Sequence, residues 1–326
     1  MTTAPPELLL SDGLVACYLD ERPLAEAVNG PMIRLWCEMV EDANPLYHDP
    51  AFARSQGFRD IVAPPPMLLA WTFEPTWTPM AGRARTMSRD MPEVPGRPHA
   101  CVLQMTQTYH RPLEAGERPT MRYYRHLGTE ETETHRGRGV VLSNVMSLHD
   151  EHGAEIVRQS SHILRFRTGD SPSAAFDSVG ADGPISQPPD TVGPGTDLPP
   201  LEFPVPRTRF MIAVSATRDF YQVHHDRTFA RATGVADMYI GTHFMQGLIG
   251  RYITDHVGAG SVLCSLALLP YERNHPDDVI IVRGRIVGER PTAAGPVLDI
   301  AVRCSNARVV THDATVTVRR ARQLAR

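Results

Sequence analysis

Apolar and polar positions alternate along this chain in a helical mode and an extended mode, and the switch between them happens twice. From Pro31, Met32, Leu35, Trp36, Met39 and Val40 recur at helical spacing. The helix is expected to stop before Asn44-Pro45, because a residue preceding proline avoids the helical region. Asp49-Pro50 predicts an N-cap followed by proline in the first turn, with a short helix to about Gln56 ended by Gly57. Three prolines open the apolar run Ile61–Phe73, predicted as a helix to about Phe73. Residues 75–99, which hold Pro75, Pro79, Pro92, Pro95 and Pro98, read as loop, and residues 1–30 are mixed and hard to place. The pattern then becomes extended. Cys101–Arg111, Met121–Leu127, Gly137–Leu148 and Glu155–Phe166 are rich in β-branched and aromatic residues, with turn signals at Glu114-Ala-Gly116, Gly128 and Glu151-His-Gly153. They predict antiparallel strands.

Residues 169–200 are dominated by Pro, Gly, Ser and Asp and read as a linker. The plan then repeats. Arg209–Ser215 reads as a strand, a helical region follows, and Phe244–Val257 is an apolar helix containing Gly247 and Gly250. Val262–Leu269, Val279–Val287, Val297–Cys304 and Ala307–Val318 read as strands, and the basic tail Arg319–Arg326 as a solvated end. Each half is thus an α+β unit, one apolar helix wrapped by an antiparallel sheet. The boundaries implied are 1–168, a linker over 169–200, and 201–326.

The doubling is visible residue by residue. Shifted by 177 positions, Asp42 meets Asp219, His48 meets His225 and Asp49 meets Asp226 without a gap. Phe52, Ala53, Arg54, Gly57 and Asp60 meet Phe229, Ala230, Arg231, Gly234 and Asp237. The informative difference is Tyr47, which lies under His224. One copy pairs an acid with a histidine and the other pairs an acid with a phenol.

Composition narrows the function classes. A chain of 326 residues has room for two ordinary domains. A net charge of -4 argues against a general nucleic-acid binder. The five cysteines include no Cys-x-x-Cys pair and suggest neither a disulfide framework nor a zinc site. The N-terminus lacks a basic segment followed by an apolar run, and no apolar stretch approaches the roughly 18 residues of a membrane span. These features lead us to expect a cytoplasmic protein with no membrane partner.

Asp219, His224, Asp226 and Ala230 match in register the hydratase motif of the MaoC-like hydratases and dehydratases, and the two halves resemble that family. The first half resembles the family's N-terminal domains through Asn44–Pro50 and Ala63-Pro-Pro-Pro-Met67. Both halves are also similar to the paired subunits of a hydratase acting on a steroid CoA thioester in cholesterol side-chain breakdown. The segments carrying that similarity are Ala63–Met67, Arg218–Asp226 and Gly250–Gly258. The resemblance covers most of both halves, apart from the linker and the ends. It implies a double hot-dog fold, in which each sheet wraps a central helix. It further implies a hydro-lyase acting without metal or cofactor on an enoyl or 3-hydroxyacyl thioester, with an (R)-3-hydroxy product. The implied partner is an acyl-CoA with a bulky acyl group, an acyl-carrier-protein thioester remaining open, as does a homodimer of double hot-dogs.

Such chemistry needs a base, an acid, and hydrogen-bond donors for the developing enolate oxygen. Asp219 and His224 are the expected catalytic pair, holding one water between them. The start of the central helix, Gly241-Thr242-His243, is the expected oxyanion and substrate-binding region, with Tyr221 as a further lining candidate. The family's simplest hydratases begin that helix at His-Gly; here the glycine position falls on Thr242, a departure that leaves the role to the backbone of Gly241 and Thr242. The same count in the first half lands on Pro65, which has no N–H to donate. The first half is therefore expected to lack chemistry and to shape the acyl pocket.

Blander roles are assigned elsewhere. His48 and His225 are expected to be structural, and Asp49 and Asp226 to be caps. Arg283, Arg285 and Arg303 are expected to be exposed strand charges rather than phosphate ligands, and Met67, Met238 and Met245 to be core filling. A hot-dog thioesterase and a non-catalytic acyl-binding subunit are the rival readings.

Overall fold

A computed structural model describes residues 7–9, 15–79, 82–83, 94–127, 130–167, 194–293 and 295–320. Parts of the expected 75–99 loop, the Gly128 turn, most of the expected linker and the end of the basic tail lie outside these residues. Helices α1 (Gly30–Val40), α2 (Pro50–Ser55) and α3 (Leu68–Thr72) belong to the first half, and α4 (Arg207–Thr217), α5 (Arg227–Ala232) and α6 (Thr242–Val257) to the second. The first-half strands are β1 (Glu7–Leu9), β2 (Val15–Pro23), β3 (Trp77–Thr78), β4 (Gly82–Arg83), β5 (His99–Tyr109), β6 (Thr120–Leu127), β7 (Thr132–Thr134), β8 (Gly137–His149) and β9 (Glu155–Phe166). The second half adds β10 (Asp197–Pro204), β11 (Val262–Pro270), β12 (Val279–Arg290), β13 (Val297–Ser305) and β14 (Val310–Arg319).

The main sheet runs β1-β2-β6-β8-β9-β5-β11-β14-β13-β12-β10. Read outward from the centre, β5-β9-β8-β6-β2 and β11-β14-β13-β12-β10 have the same connectivity, the strand before the helices outermost of the five and the strand after them innermost, and β1 adds one strand beyond β2. The halves join where β5 pairs antiparallel with β11, Ser265 opposite Thr108 and Leu268 opposite Met105. One continuous antiparallel sheet thus curves round two helical layers, the double hot-dog arrangement.

The repeat spacing extends from sequence into structure. α1 and α4, α2 and α5, and the single turns Pro45–Tyr47 and Gln222–His224 all lie 177 residues apart at both ends. The two first helices end alike, at Glu41 (φ 58°) and Arg218 (φ 57°), left-handed residues that turn the chain immediately before Asp42 and Asp219. Asp49 caps α2 by accepting from the amides of Ala51 and Phe52, and Asp226 caps α5 by accepting from Phe229.

Two expectations need correction. Arg209–Ser215 is helix, within α4, and not strand. Its β-branched and aromatic content misled the reading. The buried residues of α4 are Phe210, Ala213, Val214, Ala216 and Thr217, which recur at helical spacing, and the helix packs against α1. Asp197–Pro200 is the beginning of strand β10, so the expected linker runs too far; β10 pairs with β12 despite its prolines, which an edge strand tolerates. Within residues 1–30, Val15–Pro23 forms strand β2, paired with β6.

The halves diverge at the central helix. α6 has 16 residues, buries His243 to Ile253 almost without interruption, and fills the second sheet. Its counterpart α3 has 5 residues. At about 1.5 Å per residue these are roughly 24 Å and roughly 8 Å of helix. α3 stops two residues before Glu74-Pro75, and proline supplies no N–H and forces its predecessor out of the helical region. Glycines bring α6 against the first half. A Cβ at Gly247 would lie 3.0 Å from the Trp36 ring, and one at Gly250 would lie 2.8 Å from Cγ of Pro66.

Candidate active site

The α4–α5 connection carries Asp219 and His224 to the N-terminus of α6. The Asp219 carboxylate is held from below, its Oδ1 accepting from the Tyr221 amide at 3.3 Å. Its Oδ2 faces two imidazoles: Nε2 of His224 at 3.4 Å, and Nδ1 of His243, which donates to it at 3.1 Å. Nδ1 of His224 donates to the carbonyl oxygen of Tyr239 at 2.8 Å, which fixes the ring and turns Nε2 toward Asp219. Tyr221 and Tyr239 pack edge-on against the His224 ring, with centroids 6.1 and 5.2 Å away.

This geometry sets the charges. Burial pushes the Asp219 carboxyl up, but the two histidines outweigh it and hold the group well below the ordinary carboxylate range. Burial likewise disfavours the His224 imidazolium, yet the Asp219 charge and the Tyr239 carbonyl outweigh it and raise its pKa. Nε2 of His243 is buried with no hydrogen-bond partner among the described residues.

Gly241 is the N-cap of α6 and offers no side-chain cap, so the first amides of a buried helix are left without an intramolecular acceptor. Its Cα stands against the pair: a Cβ there would lie 3.4 Å from Nε2 of His224 and 3.7 Å from Oδ2 of Asp219. The predicted residues Asp219, His224, Tyr221, Gly241, Thr242 and His243 therefore meet at one place.

That place opens on a cavity of about 200 Å³. Asp219, His224, Thr242 and His243 line it, as do Leu69 of α3 and Phe73 just past the end of that helix. The remaining wall is mostly the inner face of the first-half sheet, including Met105, Tyr123, Asn144, Met146, Gln159 and Ser161. Where α6 covers its own sheet, truncated α3 leaves this face open. Arg136 and Arg273 reach the cavity near the junction of the halves. Sequence reading missed all these wall residues; polar residues at alternate positions of β8 and β9 were the available signal, but which face they occupy depends on register.

The equivalent place in the first half is closed. Tyr47 and Asp42 are buried, and neither lines the cavity. Burial pushes the Asp42 carboxyl up to about 6 and holds the Tyr47 phenol well above its ordinary value. His48 donates from Nε2 to the Asp42 carbonyl oxygen at 2.8 Å, whereas Nδ1 of His225 is buried without a partner among the described residues. Met67, Met238 and Met245 are core residues. Arg285 pairs with Asp197 and Arg303 with Asp313, both as exposed charges on strands. Among the described residues no group of three or more His, Cys, Asp or Glu is arranged to hold a metal, and no helix is long and apolar enough to cross a membrane.

Residues 20–159 match the family model for the FAS1-like dehydratase domain region. The alpha subunit of the 3-oxo-4,17-pregnadiene-20-carboxyl-CoA hydratase of Mycobacterium tuberculosis is 32% identical over 167 residues, covering 48% of this chain and 50% of that subunit. The chain thus spans about half the length of this curated relative. Among solved structures, a MaoC-like dehydratase superposes with a TM-score of 0.69 at 17% identity, covering 94% of this chain and 97% of the other. A conserved hypothetical protein of Mycobacterium tuberculosis with a double hot-dog fold gives 0.62 at 13% identity, covering 92% and 95%. Over residues 20–159 the chain is thus similar to a dehydratase region, over about half its length it is similar to a CoA-thioester hydratase subunit, and its fold is the double hot-dog of the MaoC-like dehydratases.

Proposed function

We infer that this protein adds water to, or removes it from, an enoyl or 3-hydroxyacyl thioester. One observation carries the reading: an ionised carboxylate and an imidazole of raised pKa stand 3.4 Å apart on a cavity wall, beside the uncapped N-terminus of a buried helix. Asp219 and His224 hold the reacting water. In the hydration direction its oxygen attacks the β-carbon while one of its protons passes to the pair, and a proton is returned to the α-carbon. Thr242 and its neighbours at the start of α6 donate backbone N–H groups to the thioester oxygen as the enolate charge develops there. His243 holds the Asp219 carboxylate in place through its Nδ1.

The first half performs no chemistry in this reading; its sheet receives the acyl group in the space that a full-length central helix would fill. That space favours bulky acyl groups, and a CoA carrier is in keeping with the relative's printed name. The units 1–168 and 201–326 remain our proposed division of labour, the second moved back to Asp197 so that it takes in β10.

Incubating an enoyl-CoA of increasing bulk with the chain in ¹⁸O-water, followed by mass spectrometry, tests the reading. Labelled 3-hydroxyacyl-CoA with the thioester intact is expected. Labelled free acid would instead establish a thioesterase. The relative is named as a subunit, so a chain active only with a partner is a second reading; turnover by the purified chain alone excludes it.

A further inference from the structure

The wall that receives the acyl group is not a plain hydrocarbon surface. Asn144, Gln159 and Ser161 each line the cavity and are at least nine-tenths buried, with 8%, 4% and 5% exposure. They form one patch on the inner face of the sheet. Asn144 stands opposite Ser161 across β8 and β9, and Gln159 follows two residues along the same face.

Two hydrogen-bond relays fix what this patch offers. Nη2 of Arg125 donates to the Tyr123 hydroxyl at 3.2 Å, and that hydroxyl stands 2.7 Å from Oδ1 of Asn144. A guanidinium can only donate, so the hydroxyl accepts from it and passes its own proton to the Asn144 carbonyl. In the second relay the Tyr109 hydroxyl donates to Oε1 of Gln107, whose amide nitrogen donates to Oε1 of Gln159 at 2.7 Å. Each relay thus engages the carbonyl of its last amide and leaves the NH₂ outside it. The hydrogen bonds of the Asn144 and Gln159 side chains run through their carbonyl oxygens, and both residues, with Ser161, line the cavity. Such donors cost free energy when a ligand excludes water from them without replacing its hydrogen bonds.

We propose that the cavity is built for an oxygenated acyl group, and that Asn144, Gln159 and Ser161 donate to a neutral acceptor oxygen, a keto or ether oxygen, remote from the thioester. The proposal rests on the acyl-thioester reading above and adds the chemical class of the acyl group. A pure hydrocarbon chain would strip water from three donors and return nothing. An oxygenated chain restores those bonds, so discrimination favours the oxygenated ligand strongly.

Saturated thioesters, which cannot be hydrated, separate recognition from turnover. Calorimetric titration would compare decanoyl-CoA with a set of oxodecanoyl-CoA isomers bearing the ketone at each carbon of the distal half. At least one isomer is expected to bind about tenfold or more tightly than decanoyl-CoA, since each well-made buried bond is worth up to about that factor. Ser161→Ala, which leaves both relays intact, and Gln159→Met should each reduce that preference several-fold by weakening the oxygenated ligand. Equal or weaker binding of every oxygenated isomer, or a preference unchanged in both variants, would overturn the inference while leaving the hydratase reading standing. Failure of every thioester to bind would overturn both.

Discussion

The two copies of the motif share a backbone and differ in what that backbone is used for. Asp42 and Asp219 each follow a left-handed residue, and each accepts a hydrogen bond from the amide two residues on. Their carboxyls nevertheless shift in opposite directions. Asp219 faces two imidazoles and is held ionised; Asp42 lies against a phenol that keeps its proton, and burial pushes it up to about 6. A second contrast accompanies the first. The half that keeps the pair keeps its long central helix, and the half that has lost the pair has a short one and an open sheet face. In the proposed reading, chemistry and acyl accommodation are therefore separated between the halves.

Apart from the reacting pair itself, the largest expected effect comes from refilling the open face. Met146→Trp should lower kcat/KM for a bulky enoyl-CoA on the order of a hundredfold, while crotonyl-CoA turnover changes by no more than about threefold. Comparable losses for both substrates would mean that the cavity is not the acyl site. Next is the junction of the halves. Gly250→Ala places a methyl against the rigid ring of Pro66, 2.8 Å from its Cγ, and should cost about 1–3 kcal/mol of stability in chemical denaturation.

The Asp219–His224 pair also makes stability depend on pH. The depressed carboxyl contributes stability that is present above its unfolded pKa of about 3.9 and is lost as pH falls through the folded value. The raised imidazole contributes stability that is present below about 6.5 and is lost as pH rises through its folded value. The melting-temperature advantage of the wild type over His224→Gln should therefore be greatest between about pH 4 and 6.5 and shrink on the alkaline side. An advantage independent of pH would contradict the assigned charges. The smallest effects are the caps. Asp49→Ala and Asp226→Ala should each cost about 1 kcal/mol, and by similar amounts, because both halves retain the same helix start.

Much of this was legible in the sequence because the repeat is local. The caps and the short helices are set by neighbouring residues, and the spacing of Asp42 to Asp219 carries them from one half to the other. The same spacing applied to α1 would have turned the Arg209–Ser215 strand into helix, since Gly30–Val40 lies directly under Arg207–Thr217. Composition outweighed register there. β10 was hidden by its prolines, and β2 by having no clear alternation. The cavity wall was illegible for a different reason. Tyr123, Asn144, Gln159 and Ser161 come together only once β5, β6, β8 and β9 are paired in register, and only because Pro75 stops the helix that would otherwise cover them.

The central claim is that a single proton-transfer pair, in the second half, performs the reaction. Single-turnover kinetics with one enoyl-CoA would compare Asp219→Asn and His224→Gln with Asp42→Asn and Tyr47→Phe, each variant checked for folding by circular dichroism. The account predicts that the first two lose rate by at least about a thousandfold and that Tyr47→Phe and Asp42→Asn stay within about threefold of wild type. A near-normal rate in Asp219→Asn or His224→Gln, or an equal loss from Tyr47→Phe, would contradict it.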